Sequence, residues 1–433
     1  MRNPLFEISE VRLGDISKKI GSGATPRGGK ESYKSQGISL IRSMNVHDLA
    51  FDYSELAFID QNQARQLNNV TVKERDILLN ITGASVARCC MVPRKILPAR
   101  VNQHVAIIRC ELSKADPTYI QYCLVSPKYK ESLLTLSQGG ATREALTKEK
   151  IEDFKVPFPS LPTQHKIACI LSAYDDLIEN NTRRITILEE MAQRLYREWF
   201  VHFRYPGHEN AKLVESELGL IPEGWEVLAL GDIASINSKS ISKANAPETI
   251  HYINISSVST NSINSIEAKY FRDAPSRARR IVNHGDIIWS TVRPNRKSFA
   301  LIYNPPTDLI VSTGFAVITA QELPYSYLYY AITTDDFAIY LANNATGSAY
   351  PAVNESDFAN AKVLVPSTAT MEMFHSIVET KLVQINILSK RNKLLGSTRD
   401  SLLPKLISGK INVSELDIET SGNEKPEKVI NIT

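Results

Sequence analysis

The sequence is short of the features that mark secreted, membrane or metal-dependent proteins. Five cysteines occur in 433 residues, an odd number without C-x-x-C spacing. Neither a disulfide framework nor a thiolate metal site is therefore expected, and Cys89, Cys90, Cys110, Cys123 and Cys169 read as reduced structural thiols of a cytoplasmic protein. No run of about 18 apolar residues exists, so no helical membrane span is expected. The opening stretch MRNPLFEISEVRLGDI shows no basic leader followed by an apolar segment, so no signal peptide is expected. The eight histidines show no ligand spacing, and no metal site is expected from them. Three near-motifs also fail. GATPRGGKES has Ala24 where a phosphate-binding loop needs its first glycine and Glu31 where it needs Ser or Thr. YNPPTD carries Thr307 where an amino-methyltransferase motif needs an aromatic residue, and ETK at 379–381 falls on a predicted helix without an acidic partner strand.

Charge of one sign is not in large excess either: 50 basic against 47 acidic residues leave +3. Its distribution is uneven. Residues 1–160 hold 23 basic against 17 acidic residues, whereas the stretch 270–300 alone holds seven basic against two acidic. Both halves thus own a basic region, which makes a polyanion a candidate ligand.

What the sequence does contain is itself, twice. Lys155, Val156, Pro159, Ser160 and Thr163 recur 207 positions later as Lys362, Val363, Pro366, Ser367 and Thr370. The register continues without a gap, Ile170, Ile178, Arg184, Leu188 and Leu195 matching Ile377, Ile385, Arg391, Leu395 and Leu402. Leu13-Gly14-Asp15-Ile16 recurs as Leu230-Gly231-Asp232-Ile233, and Asp76-Ile77 as Asp286-Ile287, at different offsets. Loops of unequal length have therefore diverged between fixed points of a duplication.

Each half is a β-rich region followed by a long helix. GISLIRSMNV, RDILLNITG and NQHVAIIRC in the first half are short, β-branched and bounded by turn residues, as are IHYINISSV, GDIIWSTV and LIVSTGFAVIT in the second. Val-Pro-Phe-Pro at 156–159 predicts an extended exit, since proline disfavours helix before it. Ser160 or Thr163, repeated as Ser367 and Thr370, can cap the helix that follows. That helix, over 163–200, would be about 57 Å long at about 1.5 Å per residue. Its apolar residues recur every three or four positions along its length, and a stripe of that length needs an equally long partner. Either the two helices pair with each other, antiparallel because duplication implies a pseudo-two-fold axis, or each packs on its own β-region. Asn181 and Arg184 interrupt the stripe and either fix its register or face solvent.

These pieces resemble the specificity subunit of a type I restriction–modification enzyme. The resemblance rests on LGDI followed by GSGATP, on RDILLNITGASVAR, on GGATREALTKEKIEDFKVPFPSLPTQHKIACIL, on GDIIWSTVRPN and on SLLPKLISGKI. It covers the chain up to about Ile411. One departure is Met371, where the first copy has Gln164. The resemblance implies an α+β protein with two β-rich target-recognition domains separated by an antiparallel coiled coil of two long helices. On that reading 1–160 is the first recognition domain, 161–203 the first helix and 204–366 the second domain. Residues 367–411 are the second helix, and 412–433 a polar, weakly ordered tail. The implied function is a non-catalytic DNA-reading subunit, each domain reading one half of a split, asymmetric double-stranded site. The implied partners are two modification (methyltransferase) subunits and restriction (motor–nuclease) subunits. This chain would hold no cofactor; S-adenosylmethionine, ATP and Mg2+ would belong to the partners. A stand-alone methyltransferase or nuclease and a purely protein-binding scaffold are the competing readings.

Candidate DNA contacts follow from residue type and loop position. Arg293, Asn295, Arg296 and Lys297 crowd a Pro-marked loop after GDIIW. Arg143 lies on a glycine-marked loop, with Tyr350 at the corresponding place in the second half. Arg42, Thr82, Arg88, Arg279 and Arg280 are further candidates, each with a solvated or structural role as the alternative. Lys18 and Lys19 suit phosphate better than base edges. For subunit contact the candidates are Leu195, Trp199, Leu402 and Leu406, with core packing as the alternative.

Overall fold

β-branched runs between turn residues become short strands, and the same strand order is built twice. The computed structural model describes residues 8–138, 145–242 and 245–418. The chain divides into two compact units, Met1–Asn180 with Asn392–Thr433, and Asn181–Arg391. In the first unit one antiparallel sheet runs in the order Ser17–Ser22, Val105–Cys110, Ile77–Asn80, Cys89–Met91. A second sheet runs Ala57–Ile59, Ile38–Ile41, Ala99–Val101, Thr71–Val72, its middle pair parallel. The second unit repeats the first of these as Ala234–Ile236, Phe315–Ala320, Ile287–Ser290, Phe299–Leu301. It repeats the other as Glu267–Tyr270, Thr249–Ile253, Leu309–Ser312, Ala278–Ile281, again with a parallel middle pair. Short pairs, Glu10–Arg12 with Lys155–Pro157 and Glu226–Ala229 with Lys362–Val365, close the base of each unit.

The central strands are apolar along their whole length because both faces are covered. Ile77, Leu79, Ala106 and Ile108 join the core beneath the helices, whereas Leu78, Val105 and Ile107 join the core shared with the second sheet. The two-residue period of a strand assigns alternate residues to opposite cores. Ile287, Trp289, Ala316 and Ile318 against Ile288, Phe315 and Val317 repeat the division. Each unit also contains two short helices that the strand-centred reading passes over: Pro117–Val125 and Pro127–Gln138, then Tyr325–Ala331 and Asp335–Asn344. In Pro117–Val125 eight of nine residues are buried, so its sequence shows no polar face to betray a helical period.

The long helices are Leu161–Tyr196, continued by a π-helical turn over Arg197–Val201, and Thr368–Ile407. Ser160 and Ser367, rather than Thr163 and Thr370, immediately precede them. Ser367 Oγ accepts from Thr370 N–H at 3.3 Å, and each serine hydroxyl pairs with the threonine three residues on, at 2.9 and 2.8 Å. In the first unit Ile167, Ala168 and Leu171 from the start of the first helix share one core with Leu403, Leu406 and Ile407 from the end of the second. In the second unit Ala192, Tyr196, Trp199 and Phe200 share a core with Met371, Phe374, Val378 and Leu382. Start meets end in both, so the helices are antiparallel partners forming a coiled coil, and neither packs on one β-region alone. Arg399 pairs with Asp175, which also accepts from the Tyr122 hydroxyl, and Asn392 Nδ2 donates to Ile178 O at 3.4 Å. Asn181 is buried and Arg184 is exposed.

Just beyond Ile411, Val413 is buried in the first unit's core, and Ser414 O accepts from Lys166 Nζ at 2.7 Å. All five cysteines are free, four of them buried. Among the described residues no helix is long and apolar enough to cross a membrane, and no group of three or more His, Cys, Asp or Glu side chains is placed to hold a metal ion. The ETK carboxylate, Glu379, accepts the Tyr303 hydroxyl at 2.7 Å and that of Tyr325.

Glu189 ties the first long helix to the second unit's strand loops. Its Oε1 accepts from Asn261 Nδ2 at 2.8 Å, and Asn261 in turn accepts the Tyr329 hydroxyl. Burial pushes this carboxyl up to about 7, the Asn261 bond opposing the rise. Because the folded state holds the proton more tightly, the associated stability is complete below pH ~4.5 and is lost as pH rises through about 7. Glu189→Gln should remove that dependence, raising the thermal midpoint at pH 8 by about 2–4 °C and leaving it unchanged at pH 5; calorimetry at the two pH values is the check.

Candidate nucleic-acid interface

In the second unit the loop between strands Ile287–Ser290 and Phe299–Leu301 is held in a strained shape. Arg293 and Lys297 both have φ of +51°, a left-handed conformation that non-glycine residues rarely adopt, on either side of the Pro294–Arg296 turn. A second loop supports it. Val292 bridges Ala352, Val353 N–H donates to Thr291 O at 2.9 Å, and Arg293 N–H donates to Pro351 O at 2.7 Å. The Arg293 guanidinium donates to Ala349 O at 3.3 Å and lies 4.7 Å from the Tyr350 ring centroid. Tyr350 itself is 69% exposed. Half-buried Arg293 and exposed Tyr350, 57 positions apart, are thus stacked into one flat, cationic element, beside exposed Asn295 and Arg296. Lys297 reaches Asp335 at 2.6 Å, so it also ties the loop to the helix Asp335–Asn344.

The first unit repeats the anchoring at the end of the second loop with different residues. Thr82 bridges Ala145, and Leu146 N–H donates to Ile81 O at 2.9 Å, as Val292 and Val353 do in the second unit. Arg143, the counterpart of Tyr350, lies outside the described residues. Thr82 Oγ1 is 2.7 Å from His104 Nδ1, and the neighbouring Gln103 is exposed and hydrogen-bonded to Thr25 at 3.1 Å. Gly23 must be glycine there, because a Cβ would lie 2.1 Å from Val101 O. Gln103, His104, Thr313 and Arg277 were missed by sequence reasoning. They reach these loop ends only through the register: Ile81 N–H donates to His104 O, Thr291 N–H to Gly314 O, and Thr313 N–H to Arg277 O.

Lys18 and Lys19 lie elsewhere, whereas Arg88, whose O accepts the Asn80 N–H at 2.9 Å, and Arg42, next to the Ser43 O that accepts from Asn80 Nδ2, sit at the Thr82 end. Register pairs Asn80 with Val105 but Lys19 with Arg109, which puts Lys18 and Lys19 at the opposite end of the sheet from Thr82. There Lys18 reaches Glu111 at 3.2 Å and Lys19 donates to Asn69 O, and burial, then Arg109, pulls the Lys19 ammonium down. Arg42 donates to Glu55 O, and Arg88 lies 3.4 Å from His47. Arg279 packs on the Phe271 ring at 5.0 Å, and Arg280 is half-buried, with burial lowering its pKa. Both sit on the strand Ala278–Ile281 of the second sheet.

The subunit-contact candidates divide. Trp199 and Leu406 are buried in the chain's own cores, which removes them from any partner's reach; Leu195 and Leu402 are partly exposed. Trp199 lies 6.1 Å from Phe374 and 6.2 Å from Phe200 by ring centroids, and its apolar bulk serves the core.

Taken together, two copies of one β-architecture, each with the same bridged junction at its loop ends and sharing an antiparallel helix pair, define a two-domain α+β recognition protein. Comparison with known proteins gives this class its family. Residues 7–190 and 222–393 match the type I restriction modification DNA specificity domain. The type I restriction enzyme MjaIX specificity subunit of Methanocaldococcus jannaschii is 28% identical over 314 residues, covering 69% of this chain and 70% of its own. The HindI specificity subunit of Haemophilus influenzae is 22% identical over 482 residues, covering 94% of this chain and 100% of its own. The crystal structure of a type I restriction–modification S subunit from M. genitalium aligns with a TM-score of 0.57 at 15% identity, over 94% of this chain and 98% of that one, a likeness of fold. The chain belongs to the type I restriction modification DNA specificity family. It is a DNA-recognition subunit that works in a complex with other subunits and carries no catalytic centre of its own.

Arg293→Ala should weaken binding of the assembled complex to its target by about 1–3 kcal/mol, and Tyr350→Ala should do so through loss of the stacked support; fluorescence anisotropy at fixed salt measures both. Trp199→Ala should cost about 3–5 kcal/mol of stability through the cavity it leaves, read from denaturant unfolding, without altering target choice.

Proposed function

We propose that each unit reads one half of a split, asymmetric double-stranded DNA site, and that the long helices scaffold two modification (methyltransferase) subunits together with motor–nuclease subunits. On this reading the first recognition domain spans 1–160 and the second 204–366. S-adenosylmethionine, ATP and Mg2+ act on the partner chains, and the complex works in the cytoplasm. The observation that carries the reading is a retained framework bearing divergent loops. The bridge, the donor to Thr291 or Ile81 and the strand order are repeated, whereas the equivalent positions carry Val292, Arg293, Thr313 and Gly314 in one copy and Thr82, Gly83, Gln103 and His104 in the other. Identical scaffolds with different hydrogen-bonding side chains suit two different half-sites, since base edges are told apart by donor and acceptor pattern. Phosphate contacts by exposed basic residues such as Arg296 and Arg277 would set position, with a steep dependence on salt.

The test is an exchange of loops. Residues 291–298 and 345–353 are replaced by those of a relative with another target, and methylated bases are mapped in a host that also carries the modification partner. One half of the target should change while the other is retained. Methylation at an unchanged site, or change in both halves, would refute the assignment of one half-site to each unit.

A further inference from the structure

At the loop end that bears Thr82, the first unit carries an exposed side chain held at both atoms of its amide. Between the strands Ala99–Val101 and Val105–Cys110 the chain turns through Asn102, Gln103 and His104. Buried Asn102 sets the turn. Its Oδ1 accepts the His104 N–H at 3.1 Å, its carbonyl accepts the Val105 N–H at 3.1 Å, and its own N–H donates to Ile41 O at 2.9 Å. The stretch leading to Thr25 is laced over this turn, Gly23 N–H donating to Val105 O at 2.9 Å and Ala24 N–H to Val101 O at 3.1 Å.

A long polar side chain on an exposed turn ordinarily keeps its rotamer freedom. Gln103 does not. Its Oε1 accepts the Thr25 hydroxyl at 3.1 Å, and its Nε2 lies 3.4 Å from His104 Nε2. His104 is fixed in turn, its Nδ1 lying 2.7 Å from Thr82 Oγ1. An amide nitrogen only donates, so His104 Nε2 accepts, and the imidazole proton sits on Nδ1 and is donated to Thr82. Two of the glutamine's four hydrogen-bonding positions are thereby filled. One N–H and one carbonyl lone pair remain, on an exposed residue.

One donor and one acceptor on a planar group match a single base edge. Adenine presents its N7 acceptor and N6 amino donor in the major groove, and a glutamine amide meets both at once. Guanine offers two acceptors, and cytosine and thymine each satisfy only one of the two amide atoms. The second unit cannot repeat this contact. Gly314 N–H donates to Ser312 Oγ at 3.2 Å, as His104 N–H does to Asn102 Oδ1, and Thr291 N–H donates to Gly314 O as Ile81 N–H does to His104 O. Thr313 therefore corresponds to Gln103 and Gly314 to His104, so the second unit has a hydroxyl in place of the amide and no ring beside it.

We propose that Gln103 reads an adenine in the half-site of the first unit, with Thr25 and His104 as positioning residues that present its amide. The inference rests on the reading that each unit contacts one half-site. Holding the amide gives the contact its selectivity, because a free amide exchanges its oxygen and nitrogen by rotation and then suits a different edge. Here such a flip would require the Thr25 hydroxyl, the His104 proton and the Thr82 hydroxyl all to reverse their roles. A side chain already fixed also loses less freedom on binding.

Three variants test this in the complete complex, by mapping methylated bases in a host that carries the modification partner and by measuring affinity for matched and single-base-substituted duplexes. Gln103→Ala should lower the preference for adenine at one position of one half-site by about tenfold or more, leaving the other half intact. Gln103→Glu, which only accepts, should move that position towards cytosine, whose N4 amino group donates; a new preference is not produced by mere loss of structure. Thr25→Val should weaken discrimination at the same position while leaving affinity for non-target DNA unchanged. An unaltered target for both Gln103 variants, or an alteration at a position where the wild type does not require adenine, would overturn the proposal. Alteration spread over both halves would instead overturn the assignment of one half-site to each unit.

Discussion

A helix of 36 residues and another of 40 each carry an apolar stripe along most of their length, and neither stripe can be covered by the short strands around it. Burying the stripes requires that the helices run against each other. The start of one then enters the same core as the end of the other, through Ile167, Leu171 and Leu403 in the first unit and Tyr196, Phe200 and Phe374 in the second. Each unit is in this way assembled from distant stretches of chain. Neither β-region completes its core without helix segments that belong, in sequence, to both halves.

On that shared frame the two copies have diverged unequally. Strand order, the parallel pair in the outer sheet and the bridge between the two loops are repeated, because changing any of them would strand backbone donors or turn apolar residues to the wrong face. Side chains at the loop ends are free of that restriction, so they have changed. Buried charge shows the same freedom: Asp76 keeps a bidentate arginine, whereas Asp286 keeps only short bonds from Thr319 and Asn283, and burial raises its pKa. A duplicated protein thus provides its own comparison, and differences between equivalent positions mark where function has been redistributed.

Much of the candidate interface could not be read from the chain because it depends on pairing. Arg293 and Tyr350 are both visible in the sequence, yet their stacking follows from the bridge between Val292 and Ala352. His104 and Gln103 look like ordinary turn residues until register places them beside Thr82. Conversely, Lys18 and Lys19 look suited to phosphate, but the register places them at the far end of the sheet. Trp199 and Leu406 carry the spacing of a helix face that could meet a partner, and only packing shows that the chain buries them itself.

Local physics determined the parts of this protein that repeat at short range: alternating strands, proline-marked exits, serine caps and the three-to-four periodicity of two long helices. Duplication made the pseudo-symmetry legible, since matched residues at a fixed offset need no coordinates. Tertiary structure alone decided which end of each sheet gathers hydrogen-bonding loops and which helix residues are consumed by the core. Those outcomes depend on strand register and on contacts between residues tens to hundreds of positions apart, which no short-range pattern encodes.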